Sequence, residues 1–84
     1  MRKQKAEYMK HHSDYVTVRE VEIGNDSSTG QAVMVFFKAL EDDDKGGRHW
    51  IPYSQLKSLH RSVNKRDDSI EIADWLAKKL GLDV

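Results

Sequence analysis

The sequence predicts a small α+β domain that is mainly β: a strongly bent antiparallel sheet or barrel of four to five strands, SH3-like or OB-like, with a C-terminal helix. Several short segments are rich in β-branched and aromatic residues, and runs of Gly, Asn, Asp and Ser separate them. An apolar stripe with helical spacing follows near the C-terminus. The chain has 84 residues, of which 38% are hydrophobic, and this is enough for one small core.

The composition excludes several classes of protein. There are no cysteines, which excludes disulfides, thiolate metal sites, iron–sulfur sites and a cysteine nucleophile. No apolar run approaches the roughly 18 residues of a membrane span, and the basic start lacks the apolar core of a signal peptide. We therefore expect a reduced, cytoplasmic environment and no membrane partner.

The charges sum to zero but are sorted along the chain. Residues 1–13 are basic and lack a repeating apolar face, which predicts a flexible N-terminal arm before a single domain at residues 14–84. Residues 48–66 carry five cations and no acid, and acidic segments lie on both sides. A duplex-DNA-binding protein is usually basic overall, so the neutral total argues against that class.

The first predicted strand, Tyr15–Ile23, changes phase in its middle. Val16 and Val18 point to one face of a regular strand, whereas the next apolar pair points to the other. One extra residue near Arg19 and Glu20, a β-bulge, would bring all four side chains to the same face.

Turns and apolar runs predict the next two strands. Gly24–Gly30 is typical of a hairpin loop. Gln31–Leu40 is apolar on both faces, which predicts the central strand of the sheet. Glu41–Gly47 predicts a second turn, and Arg48–Tyr53 a third strand, which ends at its proline or lies at an edge.

Ser54–Val63 fits a helical stripe with Ser54 as N-cap, and its second half fits strand alternation equally well. We favour one helical turn at Ser54–Lys57 followed by a short strand. Ser69–Ile72 predicts a brief last strand.

A helix is predicted over Ile72–Leu80, ended by Gly81 with Leu82 folding back. Trp75 lies on the flank of its apolar stripe. The residues with the strongest periodic signal are the predicted core: Val33, Val35, Phe37, Ile51, Leu76 and Leu80.

Two motifs are similar to those of a set of small uncharacterised bacterial and phage proteins. The first is Trp50-Ile51-Pro52-x-Ser54-x-Leu56, and the second is Trp75-Leu76-Ala77-Lys78-Lys79-x-Gly81-Leu82. The resemblance covers about Ala32–Leu82. It departs from the set's pattern at Tyr53, where lysine is more usual, and in a longer basic stretch between the motifs. It implies the fold, a phage or mobile-element origin and a bacterial cytoplasm, and it implies no catalytic residue.

The motifs in the sequence give little support for a metal site or for an enzyme. His11 and His12 would point to opposite faces of a strand, and neither His49 nor His60 has ligand spacing to them. The four acids that begin at Glu41 are consecutive, whereas a calcium loop alternates its ligands. The serines lack a Gly-x-Ser-x-Gly context and the glycines lack a phosphate-loop ending. We expect a non-enzymatic protein without metal or cofactor.

Aromatic and basic residues that are close in sequence form the candidate binding site. They are Arg48, Trp50, Tyr53, Lys57, His60, Arg61, Lys65 and Arg66. Three interpretations remain open: a stacking surface for single-stranded nucleic acid, a protein-binding hot spot, or tryptophans that bridge sheet and helix beside a solvated basic face.

The favoured function is a phage-type accessory protein that binds a host or phage protein, for example as an inhibitor or against a host defence. The alternative is a small domain that binds single-stranded nucleic acid.

Overall fold

The computed structural model describes residues 15–64 and 67–82. Its elements are β1 (Tyr15–Asp26), β2 (Ala32–Phe37), β3 (Arg48–Pro52), β4 (Leu56–His60), β5 (Asp68–Ala73) and α1 (Asp74–Leu80), with 3-10 helices at Lys38–Leu40 and Tyr53–Gln55. The strands form one antiparallel sheet in the order β3-β2-β1-β5-β4. The predicted α+β class, with five strands and a C-terminal helix, is confirmed. The sheet is open rather than closed into a barrel, and the predicted arm lies outside the described residues.

The predicted bulge in β1 is present. The register of β1 against β5 shifts between Val18 and Val21. Glu20, inside the shift, has φ of 59°, a left-handed conformation that is uncommon for a residue with a side chain. The extra residue places Val18, Val21 and Ile23 together in the buried core, as the change of phase required.

The central strand is β1 and not β2, which corrects the prediction for Gln31–Leu40. β1 has 12 residues and pairs with β5 through its first half and with β2 through its second half. It runs on to Asp26, so the loop predicted from Gly24 begins only at Ser27. β2 is apolar on both faces although it is not central: its inner side chains are buried in the core, and its outer side chains are half-buried on a surface described below.

The edge position of β3 and the helical turn that follows it agree with the predictions from the sequence. β3 lies at one edge of the sheet and ends at Pro52. A 3-10 helix at Tyr53–Gln55 then leads into β4, as the favoured interpretation of Ser54–Val63 had it. Ser54 is not its N-cap, because Pro52 occupies that position and no side chain caps the turn.

The chain passes directly from β5 into α1. The helix begins two residues later than predicted, because Ile72 and Ala73 pair with β1. Gly81 ends it with φ of 92°, and the N–H of Leu82 donates to Ala77 O at 2.9 Å. This closure buries Leu82 against the core, as predicted.

Inner side chains of the sheet form the core, and Leu76 and Ala77 of α1 pack on them. Five of the six predicted core residues are buried, and four of these are fully inaccessible. Leu80 is only partly buried, because it lies in the last turn of the short helix. The sequence did not predict the one buried charged residue of the described chain, Asp68, which is 3% exposed.

Candidate functional site

The structure distributes the predicted binding residues over three places. Arg48 and Trp50 lie on β3. Tyr53 and Arg61 lie near the end of β1, where each contacts a β1 residue. Lys57 and His60 lie on β4, at the opposite edge of the sheet. The last two residues of the predicted set, Lys65 and Arg66, lie outside the described residues.

The outer side of β2 and β3, which we name the β2–β3 face, carries the most exposed large apolar side chain of the described strands, Trp50. Its residues are Ala32, Met34 and Phe36 of β2 and Arg48, Trp50 and Pro52 of β3. Trp50 is directly opposite Met34, and Arg48 is opposite Phe36. The Arg48 guanidinium carbon lies 5.6 Å from the centre of the Phe36 ring, which is a cation–π distance. A tryptophan, an arginine and a methionine thus share one surface.

The register of the sheet fixes Trp50 on the outside. Val33, Val35 and Ile51 alternate with the residues of the β2–β3 face and are fully buried. A slip of β3 by one residue would exchange Ile51 for Trp50 in the core. The indole is nevertheless 51% exposed, although tryptophan is usually well buried.

A shallow depression of about 100 Å³ lies on this side of the sheet. Met34 and Phe36 line it, Arg48 lines it from β3, and Glu22 and Gly24 line it from β1. Gly24 leaves the space open, since a Cβ there would stand 3.2 Å from the Met34 carbonyl oxygen.

The hydrogen bonds of the β2–β3 hairpin determine which backbone groups of β3 face outward. Antiparallel pairs alternate between residues that exchange hydrogen bonds and residues whose backbone groups point away. The N–H of Phe37 donates to Gly47 O at 2.8 Å, and the N–H of Tyr53 donates to Gln31 O at 2.9 Å. Odd-numbered residues of β3 therefore bond to β2, and even-numbered residues face the free edge.

That edge offers a single N–H within the described chain. The N–H of Arg48 donates to Lys45 O at 3.2 Å, and Pro52 has no N–H. Only Trp50 remains. The other edge strand, β4, has a register shift at Lys57 that breaks its regular ladder. Both features are typical of protected edges, so a partner of this sheet gains little from adding a strand.

Tyr53 and Arg61 are held by contacts within the protein. The Tyr53 hydroxyl donates to Asp26 Oδ1 at 2.5 Å. This bond, with burial as a smaller cause, raises the pKa of Tyr53, and the charge of Arg61 opposes the shift. Arg61 Nη1 donates to Ile23 O at 3.3 Å. One donor of Arg61 is thus engaged within the protein, and its role in binding stays a prediction.

Beside Arg61, the carboxylate of Asp68 accepts a backbone N–H of β1 that no strand bonds. β5 ends its pairing with β1 at Asp68, and β1 continues beyond it. Asp68 Oδ2 accepts the N–H of Ile23 at 3.0 Å, and Asp68 Oδ1 accepts the N–H of Ser62 at 2.6 Å. The adjoining cleft of about 320 Å³ is lined by both these partners and by Asn25. Each oxygen of Asp68, which lines this cleft together with Glu22, thus already accepts a backbone N–H.

On β4, the ammonium of Lys57 lies 5.4 Å from the centre of the Tyr15 ring. His60 is exposed and pairs with Ser69. Trp75 of α1 is 53% exposed, and its Nε1 donates to Gln55 Oε1 at 3.0 Å.

The acidic segment at Glu41–Gly47 forms a turn, as predicted, and one of its carboxylates organises it. Asp43 accepts the N–H groups of Lys45 and Gly47 at 2.9 and 2.8 Å, and His49 Nε2 lies 2.7 Å from its other oxygen. The bond from Gly47, followed by the contact with His49, lowers the pKa of Asp43.

Two roles were missed by the sequence reasoning. Asp43 had a local signal, since an aspartate often bonds to the amide two residues on. Asp68 had none, because one of its two partners, Ile23, is 45 residues away in the sequence.

Neither a metal cluster nor a spanning helix is found in the described part of the chain. It contains no group of three or more His, Asp or Glu side chains that could hold an ion. None of its helices is long and apolar enough to cross a membrane. His11 and His12 lie outside the described residues.

The chain matches no protein-family model, and neither a curated protein nor a solved structure is similar enough to it to count as a relative. The resemblance to small bacterial and phage proteins therefore stays a prediction, as does the finer SH3-like or OB-like assignment.

Proposed function

We propose that this protein is a non-enzymatic module that binds another protein through the β2–β3 face. One observation carries the proposal: Trp50 stands half exposed, directly opposite Met34 on β2 and on the same face of β3 as Arg48. If the resemblance to phage proteins holds, the partner is a host or phage protein, and blocking that protein is the expected effect.

The composition of this surface suits a protein interface. Tryptophan and arginine dominate the residues whose truncation weakens complexes most, and methionine is enriched at interfaces as well. Met34 and Trp50 belong to paired strands, so their backbone is already ordered before a partner covers them. Protected edges favour contact through side chains over strand addition.

The distribution of cations supports a protein partner over single-stranded nucleic acid. A strand-binding groove needs cations along one track with stacking aromatic rings. In the described chain, Arg48 and Lys57 lie on opposite edge strands. Arg61 donates to the protein's own backbone.

Two tryptophans of nearly equal exposure provide a controlled experiment. Parent protein, Trp50→Ala and Trp75→Ala are immobilised and incubated with bacterial lysate, with and without nuclease. We expect a protein that the parent and Trp75→Ala retain and that Trp50→Ala loses, whether or not nuclease is present. Thermal melting of each variant shows that the fold is intact.

If Trp50→Ala retains the same protein as the parent, the proposal is contradicted. Retention that nuclease abolishes, together with a mobility shift of single-stranded nucleic acid that falls steeply with salt, would favour the alternative.

A further inference from the structure

We infer that the partner presents a carboxylate next to a large apolar side chain, with the carboxylate on Arg48 and the apolar group on Trp50 and the adjoining Met34. This inference rests on the proposed function and specifies the chemistry of its partner.

The guanidinium of Arg48 is positioned but not neutralised. The Phe36 ring beneath it orients the group, and the rim of the guanidinium carries its N–H donors. The ion pairs among the described residues are His49 with Asp43 and Lys78 with Asp74. No described carboxylate thus forms an ion pair with Arg48, and an arginine in this state favours a planar acceptor such as a carboxylate.

Trp50 and Met34 form the apolar half of the site, since they lie directly opposite each other on β3 and β2. The indole of Trp50 is the largest exposed apolar side chain on this side of the sheet. The depression beside Met34 has a charged as well as an apolar lining, so the apolar group of the partner is expected to cover the indole rather than to fill the depression.

The position of Arg48 sets the orientation of the partner. Arg48 and Trp50 lie on β3, the edge strand, and Met34 lies on β2, the next strand inward. A carboxylate is attracted to Arg48, so the acid must lie at the outer edge, with the apolar group over Trp50 and toward Met34.

The test uses a display library of short random peptides selected on the immobilised parent protein. We expect the selected peptides to carry Asp or Glu beside Leu, Met, Phe or Trp. Affinity of a synthetic selected peptide should fall about tenfold or more in Trp50→Ala and about fivefold in Arg48→Gln. Lys57→Gln is the matched control, because Lys57 is also a cation stacked on an aromatic ring, at the opposite edge.

A double-mutant cycle assigns the carboxylate. Changing the peptide's acid to its amide should weaken binding to the parent, with little further loss in Arg48→Gln. Selected peptides that need Trp50 but are neutral or basic would overturn this inference and leave the proposed function standing. Peptides that bind without Trp50 would overturn it as well, and the lysate experiment then decides the proposed function separately.

Discussion

Replacing Asp68 by asparagine tests the least expected feature of the fold. The carboxylate accepts one backbone N–H with each oxygen, from Ile23 and from Ser62. It thereby ties the segment after β4 to the part of β1 that β5 does not cover. In Asp68→Asn one oxygen becomes an NH₂ group, which faces an N–H donor and leaves that donor buried without an acceptor.

The expected cost follows from these two bonds. A hydrogen bond to a charged group contributes about 1.5–3 kcal/mol, and a buried donor left unsatisfied costs about 1–3 kcal/mol. Because asparagine keeps one of the two bonds, we expect a loss of about 2–3 kcal/mol in the free energy of unfolding. For a domain of this length the melting temperature should then fall by about 10–20 °C.

Urea denaturation measures this loss, and the neighbouring residue supplies the control. Asp67 is exposed and accepts only a side-chain bond from Asn64 among its described contacts, so Asp67→Asn should change stability by less than about 0.5 kcal/mol. Faster hydrogen exchange at Ile23 and Ser62 should accompany the loss. If Asp68→Asn unfolds at the same urea concentration as Asp67→Asn, Asp68 does not hold these strands together.

Three further predictions concern the core, a turn and pH. Leu76→Ala should cost about 2–5 kcal/mol, measured by denaturation, because it leaves a cavity under α1; an unchanged midpoint would mean that the helix is not docked. Gly47→Ala should lower the melting temperature clearly more than Gly30→Ala, since a Cβ at Gly47 would lie 2.7 Å from Phe37 O while one at Gly30 meets nothing within 4 Å; equal effects would contradict this. The lowered pKa of Asp43 means that its stabilising effect is present above its ordinary value of 3.8 and is lost as pH falls through the folded pKa. Melting temperatures measured from neutral to acid pH should therefore fall less steeply for Asp43→Asn than for the parent, and parallel curves would refute that role.

Local signals in the sequence predicted much of the fold. The change of phase between Val18 and Val21 predicted the bulge. Side chains alternate between the two faces of a strand, so apolar residues three positions apart can share a face only if one extra residue is inserted. Pro52 predicted the edge strand, and Gly81 predicted the end of the helix. Each of these depends on a residue's own backbone preferences or on its nearest neighbours.

What could not be predicted depends on contacts between remote segments. β1 is the central strand because two strands lie on each side of it, and no property of β1 alone predicts this. Asp68 looked like one more acid after a basic run, yet one of its partners is 45 residues away. The predicted binding residues are separated in the structure for the same reason. Trp50 and Lys57 are close in sequence, but they lie on β3 and β4, which are at opposite edges of the sheet.

The register of the sheet explains why residue 50 is exposed, but it does not explain why this residue is a tryptophan. The inner side of β3 must supply Ile51 to the core, so the outer side carries whatever residue stands next in the chain. Stability alone would favour a polar β-former there, since an exposed indole adds little to folding and promotes association. The edge of β3 is meanwhile protected by Pro52 and by the bond from Arg48 to Lys45, which limits pairing with other strands. A surface that limits strand pairing yet keeps a tryptophan and an arginine exposed is the combination that the proposed binding face requires.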